Sequence, residues 1–287
     1  MPNRPATTGL LLVGHGTRSP AGQQEFLTLA GLTSPRLAPV RVEPAFLELA
    51  EPTIAAGLAR LVEQGASRIV VLPLLLFAAG HAKQDIPAAV AEAAQGLGRG
   101  DLPILQAEHL GCQADILELS RWRVTQALHD CGNAAGDTVA ASETCLLLVG
   151  RGSRDESATA EMHEFASLRS ADGVAATTEV AFIAMAQPSV TAMLPRVAAA
   201  GYRRVIVQPH LLFHGELLET LRTDVRTVAA AHPQQEWLLS AHLSSGLGGA
   251  LGTGCPADEW LAHAIHQRFD EALCRAAIRV VAPSRGG

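Results

Sequence analysis

The sequence predicts an α/β protein built as two doubly wound parallel-sheet lobes, related by internal duplication and facing each other across an interlobe cleft. Three observations lead there. Short β-rich apolar runs alternate with longer stretches of helical character along the chain, a pattern that demands parallel sheets covered by helices on both faces. The chain also repeats itself without a gap. The 136 residues that separate His15 from Arg151 also separate "VEPAFLELAEPTI" (42 to 54) from "TEVAFIAMAQPSV" (178 to 190), and "RIVVLPLLLF" (68 to 77) from "RVIVQPHLLF" (204 to 213). Finally, 287 residues with 48% hydrophobic content are ample for sizeable cores.

The first strand, about 9 to 14, is the apolar run "GLLLVG", which stops at His15. Gly14 and Gly16 let the backbone turn sharply toward a helix at about 20 to 32. A second strand at about 40 to 47 leads to a helix at about 52 to 65, which Pro52 opens. A third strand at about 69 to 75 precedes a helix at about 82 to 96, and a fourth at about 103 to 108 precedes a helix at about 113 to 130. Residues 132 to 144, a stretch of Gly, Asn, Ala, Ser and Thr without strong periodicity, join the halves. In the second half, strands are expected at about 145 to 150, 177 to 184, 204 to 210 and 236 to 242, with a last helix near 257 to 276. The lobes are therefore expected at 1–132 and 145–276.

Composition narrows the function. Lys and Arg number 22 against 28 Asp and Glu, for a net charge of -6, and no block of basic residues favours nucleic acid or an anionic membrane. The start "MPNRPATTG" has no apolar segment behind it, and no apolar run approaches the roughly 20 residues of a spanning helix. A soluble cytoplasmic protein with a small-molecule ligand is expected. The five cysteines are scattered and never spaced C-x-x-C, which argues against a disulfide framework, a zinc ribbon or an iron-sulfur cluster; buried free thiols are expected. "GHGTRSPAG" lacks the third glycine of a dinucleotide fingerprint, and there is no G-x-x-x-x-G-K-[ST], so no nucleotide cofactor is indicated.

Ligands of doubly wound sheets sit at the carboxyl ends of the strands. His15 ends the first strand, Glu48 ends the second and His81 follows the third, each 33 residues from the next. Two neutral imidazoles and a carboxylate form a donor set suited to a divalent first-row transition metal. Each residue also has a plainer reading. His15 could be an ordinary hydrogen-bonded loop residue, Glu51 is a carboxylate as available as Glu48, and His81 could cap the next helix. Arg151 and Arg154 occupy the equivalent loop of the second half, with Arg18 and Lys83 in the first, and arginine forks bind carboxylates in bidentate fashion, so a polyanionic ligand is expected. His210 and His214 flank the third strand end of the second half and are expected to face the same cleft; the other histidines read as structural or solvated.

"LLLVGHGTR", "FLELAEPTI" and "VVLPLLLFAAGHAKQDIP" together resemble the sirohydrochlorin chelatases of the CbiX/SirB type, in the class II chelatase superfamily. The resemblance is dense over residues 10 to 90 and continues more weakly to about 245. It implies ATP-independent insertion of cobalt or ferrous iron into sirohydrochlorin, on the route to cobalamin or siroheme. By that likeness His15 and His81 match the metal-handling histidines and Glu48 their acidic partner, in an N-terminal lobe that carries the metal site. The second lobe departs from the motif, with Arg151, Ala184 and Leu217 at the three positions, so it should have lost metal chemistry and be able to hold substrate carboxylates instead. In related protoporphyrin ferrochelatases the working residues lie in the second half, which keeps His210 and His214 as lesser metal-site candidates. Short members pair as homodimers, whereas fused lobes allow a monomer to complete the cleft. A non-catalytic metal or tetrapyrrole carrier would use the same ligands without turnover. A histidine-phosphatase-like hydrolase fits poorly, because Gly14 stands where that motif needs arginine.

Overall fold

The computed structural model describes residues 7–77, 80–133, 139–249 and 255–281. These fold into two compact units, one formed by the described residues up to 110 together with those from 247 onward and the other by the described residues between 111 and 246. Each unit holds a four-stranded parallel sheet.

In the first unit β1 (Thr8–Gly14), β2 (Arg41–Phe46), β3 (Arg68–Pro73) and β4 (Ile104–Gln106) lie in the order β2-β1-β3-β4. The apolar run of β1 is buried from Gly9 to Gly14, as a central strand covered on both faces requires. Helix α1 (Pro20–Thr33) starts where Ser19 accepts a hydrogen bond from the Gly22 amide and Pro20 takes a first-turn position that needs no amide donor. Helix α2 (Ile54–Glu63) starts two residues later than Pro52 suggests. Thr53 is its N-cap, accepting from the Ala56 amide, and Glu51 accepts from the Thr53 amide. Helix α2 and helix α3 (Ile86–Gly96) pack on one face of the sheet, where Leu58, Leu61, Ile86 and Val90 meet Leu11, Val13, Ile69 and Val71. The order places the topological switch point between β1 and β3, so the crevice outside their carboxyl ends is the ligand position of this fold.

The second unit repeats this plan with β5 (Thr144–Gly150), β6 (Thr177–Phe182), β7 (Arg204–His210) and β8 (Glu236–Leu239), in the order β6-β5-β7-β8. Even the register is kept. Gly14 is opposite Phe46 in the first sheet, and Gly150 is opposite Phe182 in the second. Helix α5 (Glu156–Ser170) is capped by Asp155 and helix α6 (Val190–Ala199) by Ser189, with α7 (Glu216–Ala231) beyond β7.

The compact units do not follow the boundaries read from the repeat, because each repeat's last helix belongs to the other unit. Helix α4 (Ala114–Leu128) follows β4 in sequence but packs on α5, β7 and β8. Its anchors are polar as well as apolar. Buried Arg123 donates to the carbonyls of Leu243 and Ser245, and Ser120 donates to Gln208 while accepting from Arg169. Helix α8 (Pro256–Val281) in turn packs on α1, β3 and β4 through Leu261, Ala264, Ile265 and Phe269. Arg268 reaches the Leu110 carbonyl at 2.9 Å, and Arg275 pairs with Glu108 at 3.0 Å. The compact units accordingly divide after Leu110 and Gly246. Among the described residues no helix is long and apolar enough to cross a membrane.

Candidate metal-handling site

The loops that leave β1 and β2 are locked together by their backbones. The Leu47 amide donates to the Gly14 carbonyl at 2.9 Å and the Glu48 amide donates to the His15 carbonyl at 3.1 Å. Gly16 makes the approach possible. It adopts φ +102°, and a Cβ there would lie 1.7 Å from the Glu48 carbonyl oxygen. Gly14, also expected to serve the turn, has no such backbone; its place is set by packing, with Phe26 3.0 Å from where a Cβ would stand.

This clamp carries the side chains of His15 and Glu48 to each other, with Nε2 and Oε1 3.5 Å apart. The imidazole is mostly covered at 18% exposure and the carboxylate is open at 51%. The separation exceeds a good hydrogen bond. It matches two ligands of one ion, since donors about 2.1 Å from a tetrahedral centre stand about 3.4 Å apart. His81 opens a π-helical turn, His81–Asp85, that leads into α3; its side chain lies outside the described part of the structure. Among the described residues, which leave out the His81 side chain, no group of three or more His, Cys, Asp or Glu could hold an ion. Arg18 and Lys83 are exposed, as are Arg151 and Arg154.

The second unit keeps the clamp without its side chains. The Ile183 amide donates to Gly150 at 3.0 Å and the Ala184 amide to Arg151 at 2.9 Å, and Gly152, at φ +89°, lies under the Ala184 carbonyl. Arg151 and Ala184 thus stand on the frame that holds His15 and Glu48, and Leu217 is half-buried in the first turn of α7.

His210 and His214 do not present themselves as a pair. His210 ends β7 at 2% exposure, its ring 4.2 Å from that of Phe165. Burial, reinforced by the neighbouring Arg169 charge, pushes its pKa down to about 3, so it is a neutral core residue rather than a carboxylate-binding cation. A signal for this was present in the repeat, where Leu74 holds the equivalent position. His214 is half-buried and lies 2.9 Å from Glu219, a contact that, with Arg222, holds the Glu219 carboxyl below its usual range. The cysteines also differ in part from expectation. Cys145 is buried and its thiol is pushed up to about 12, chiefly by burial, whereas Cys131 and Cys274 are exposed; none of the five forms a disulfide.

A duplicated, doubly wound α/β chain with an imidazole and a carboxylate clamped at the carboxyl ends of two neighbouring strands of one sheet is a two-lobe protein of chelatase-like domains. The CbiX family model matches residues 9–127 and again 145–272, and the chain belongs to that family. It is 29% identical over 234 residues to the sirohydrochlorin ferrochelatase of Priestia megaterium, covering 82% of this chain and 83% of that one. It is 27% identical over 234 residues to the sirohydrochlorin cobaltochelatase of the same organism, covering 81% and 73%. Among solved structures it resembles SirB from Bacillus subtilis with Fe3+, at a TM-score of 0.74 and 25% identity over 91% of this chain and 95% of that one. A SirB structure in complex with cobalt, from Bacillus subtilis subspecies spizizenii, gives a TM-score of 0.70 at 28% identity over 93% and 95%.

Proposed function

We propose that this protein is a sirohydrochlorin chelatase, which inserts Co2+ or Fe2+ into sirohydrochlorin without ATP, in cobalamin or siroheme biosynthesis. The observation that carries the reading is the His15–Glu48 pair, held 3.5 Å apart at the carboxyl ends of β1 and β2 in a CbiX-family sheet. Insertion requires that the ion shed water and that two pyrrole protons leave the macrocycle. His15, a neutral imidazole in this role, holds the partly dehydrated substrate ion, and His81 is its proposed second nitrogen ligand. Glu48, open to solvent, completes the shell or takes a pyrrole proton and passes it to water. The exposed cations Arg18, Lys83, Arg151 and Arg154 are proposed to meet substrate carboxylates. His210 has no part in this reading, and His214, engaged with Glu219, enters only as a lesser candidate.

The test is spectrophotometric. Purified protein is mixed with excess sirohydrochlorin and either Co2+ or Fe2+, and the absorption change is followed against a metal-only control. Many equivalents of metallated product per protein support the reading. Arrest at one equivalent would identify a carrier, and no change above the control would remove the chelatase reading altogether. The related ferrochelatase and cobaltochelatase of Priestia megaterium differ by the metal in their names, and the imidazole-carboxylate set is borderline in softness, so both ions are substrates in this proposal. A competition assay with the two ions in one reaction ranks them.

A further inference from the structure

Among the described residues the non-glycine positions with positive φ are Leu49, at +66°, and Met185, at +59°. They are the same position of the repeat, each one residue beyond the clamp, after Glu48 and Ala184 respectively. They are also among the few large apolar side chains that are exposed, at 47% and 56%. A left-handed backbone is unfavourable for any residue with a Cβ, and glycine or asparagine would adopt it more readily. An exposed leucine gains nothing from the core in return. Both halves nonetheless spend this conformation on holding a long apolar side chain in solvent, and the second half does so although His15 and Glu48 have become Arg151 and Ala184. The device therefore does not serve metal ligation. Leu49 lies against the clamp itself, its Cβ 3.6 Å from where a Cβ on Gly16 would stand, immediately beside the pair that handles the ion.

We infer that Leu49 is a substrate-binding residue that lays its side chain on the apolar face of the tetrapyrrole beside the metal-handling pair, while the charged groups deal with the ion and the carboxylate rim. The inference rests on the chelatase reading. A flat macrocycle with carboxylates at its edge has an apolar face, and an aliphatic side chain held out of the fold by its own backbone is already oriented for that face without an ordering step. Leucine and methionine suit the task because neither is branched at Cβ, where a left-handed backbone is least tolerated.

The experiment compares wild type, Leu49→Gly, Leu49→Asn and Leu49→Met in steady-state metallation of sirohydrochlorin, with thermal unfolding and fluorescence titration of the metal-free macrocycle. Glycine and asparagine both accept the backbone and remove the apolar contact. Both variants should keep or raise the thermal midpoint, keep kcat within about twofold, and raise KM for the macrocycle by about fivefold, as expected for losing half of a leucine's burial. Leu49→Met, which copies Met185, should restore the wild-type KM. Wild-type KM in the Gly and Asn variants overturns the inference while leaving the chelatase reading in place, and so does loss of folding in both, which would make Leu49 a structural residue. If wild type itself does not metallate sirohydrochlorin, the chelatase reading fails, and macrocycle binding alone decides for Leu49: equal affinity in wild type and both variants overturns it, and about fivefold weaker binding in the variants sustains it.

Discussion

Replacing Gly16 with alanine should break the candidate site through its backbone, and Gly152→Ala provides the matched control. At Gly16, φ is +102° and a Cβ would stand 1.7 Å from the Glu48 carbonyl oxygen; at Gly152, φ is +89° and the distance to the Ala184 oxygen is 1.8 Å. Holding an alanine at such a φ costs about 1–2 kcal/mol. The overlap is with backbone, so the two loops must part, and the amide hydrogen bond from Glu48 to His15 goes with them, at about 1 kcal/mol. The total is about 2–3 kcal/mol, and with a urea slope of about 2 kcal/mol per M the unfolding midpoint should move down by about 1–1.5 M. Both variants should show a loss of this size by circular dichroism in urea. Only Gly16→Ala should also lose metal insertion at concentrations where the protein is folded, because only that clamp bears His15 and Glu48. A midpoint for Gly16→Ala within about 0.3 M of wild type would show that the loops are not held as described.

Three other outcomes are expected. His15→Ala should lower the metallation rate by at least about a hundredfold while macrocycle affinity, read by fluorescence, stays close to wild type; full activity would remove His15 from the metal-handling role. His210 is held neutral at about 3 against an ordinary value of 6.5, so between these limits the unfolded chain binds a proton that the folded one does not. Stability from this group therefore falls as pH drops below 6.5, by up to about 1.4 kcal/mol per pH unit, and His210→Leu should flatten the dependence of the urea midpoint between about pH 6.5 and 4.5 relative to wild type. Arg123→Met should leave the Leu243 and Ser245 carbonyls without their guanidinium donor at a cost of about 2–4 kcal/mol, seen as a thermal midpoint lower by about 5–10 °C; an unchanged midpoint would mean that α4 is held by its apolar face alone.

Much of the architecture was legible because strand, loop and repeat signals coincide. The run "LLLVG" occurs at both central strands, the 136-residue offset carries the register of one sheet onto the other, and the strand-end rule picked out His15 and Glu48, which the structure brings together. What was not legible depends on partners distant in sequence. Nothing along α4 says that Arg123 will meet carbonyls 120 residues away, or that Ser120 will bridge Gln208 and a buried Arg169. Helix amphipathicity shows that a face is buried but not which sheet covers it, so the exchange of α4 and α8 between units could not be foreseen. Leu49 is inconspicuous in the sequence for another reason. Its significance lies in a backbone angle, and leucine is no marker for positive φ.

The exchanged helices give the two units different histories during synthesis. Residues 111–246 are contiguous, so that unit has all its parts before helix α8 is translated. The strands of the unit bearing His15 and Glu48 are made before residues 111–246, yet the part of their sheet at β3 and β4 that α8 covers stays open until Leu261, Ile265 and Phe269 have been made. A polypeptide that stops short of α8 would therefore display His15 and Glu48 on an unfinished scaffold, and the metal-handling role proposed for them would await the docking of that helix.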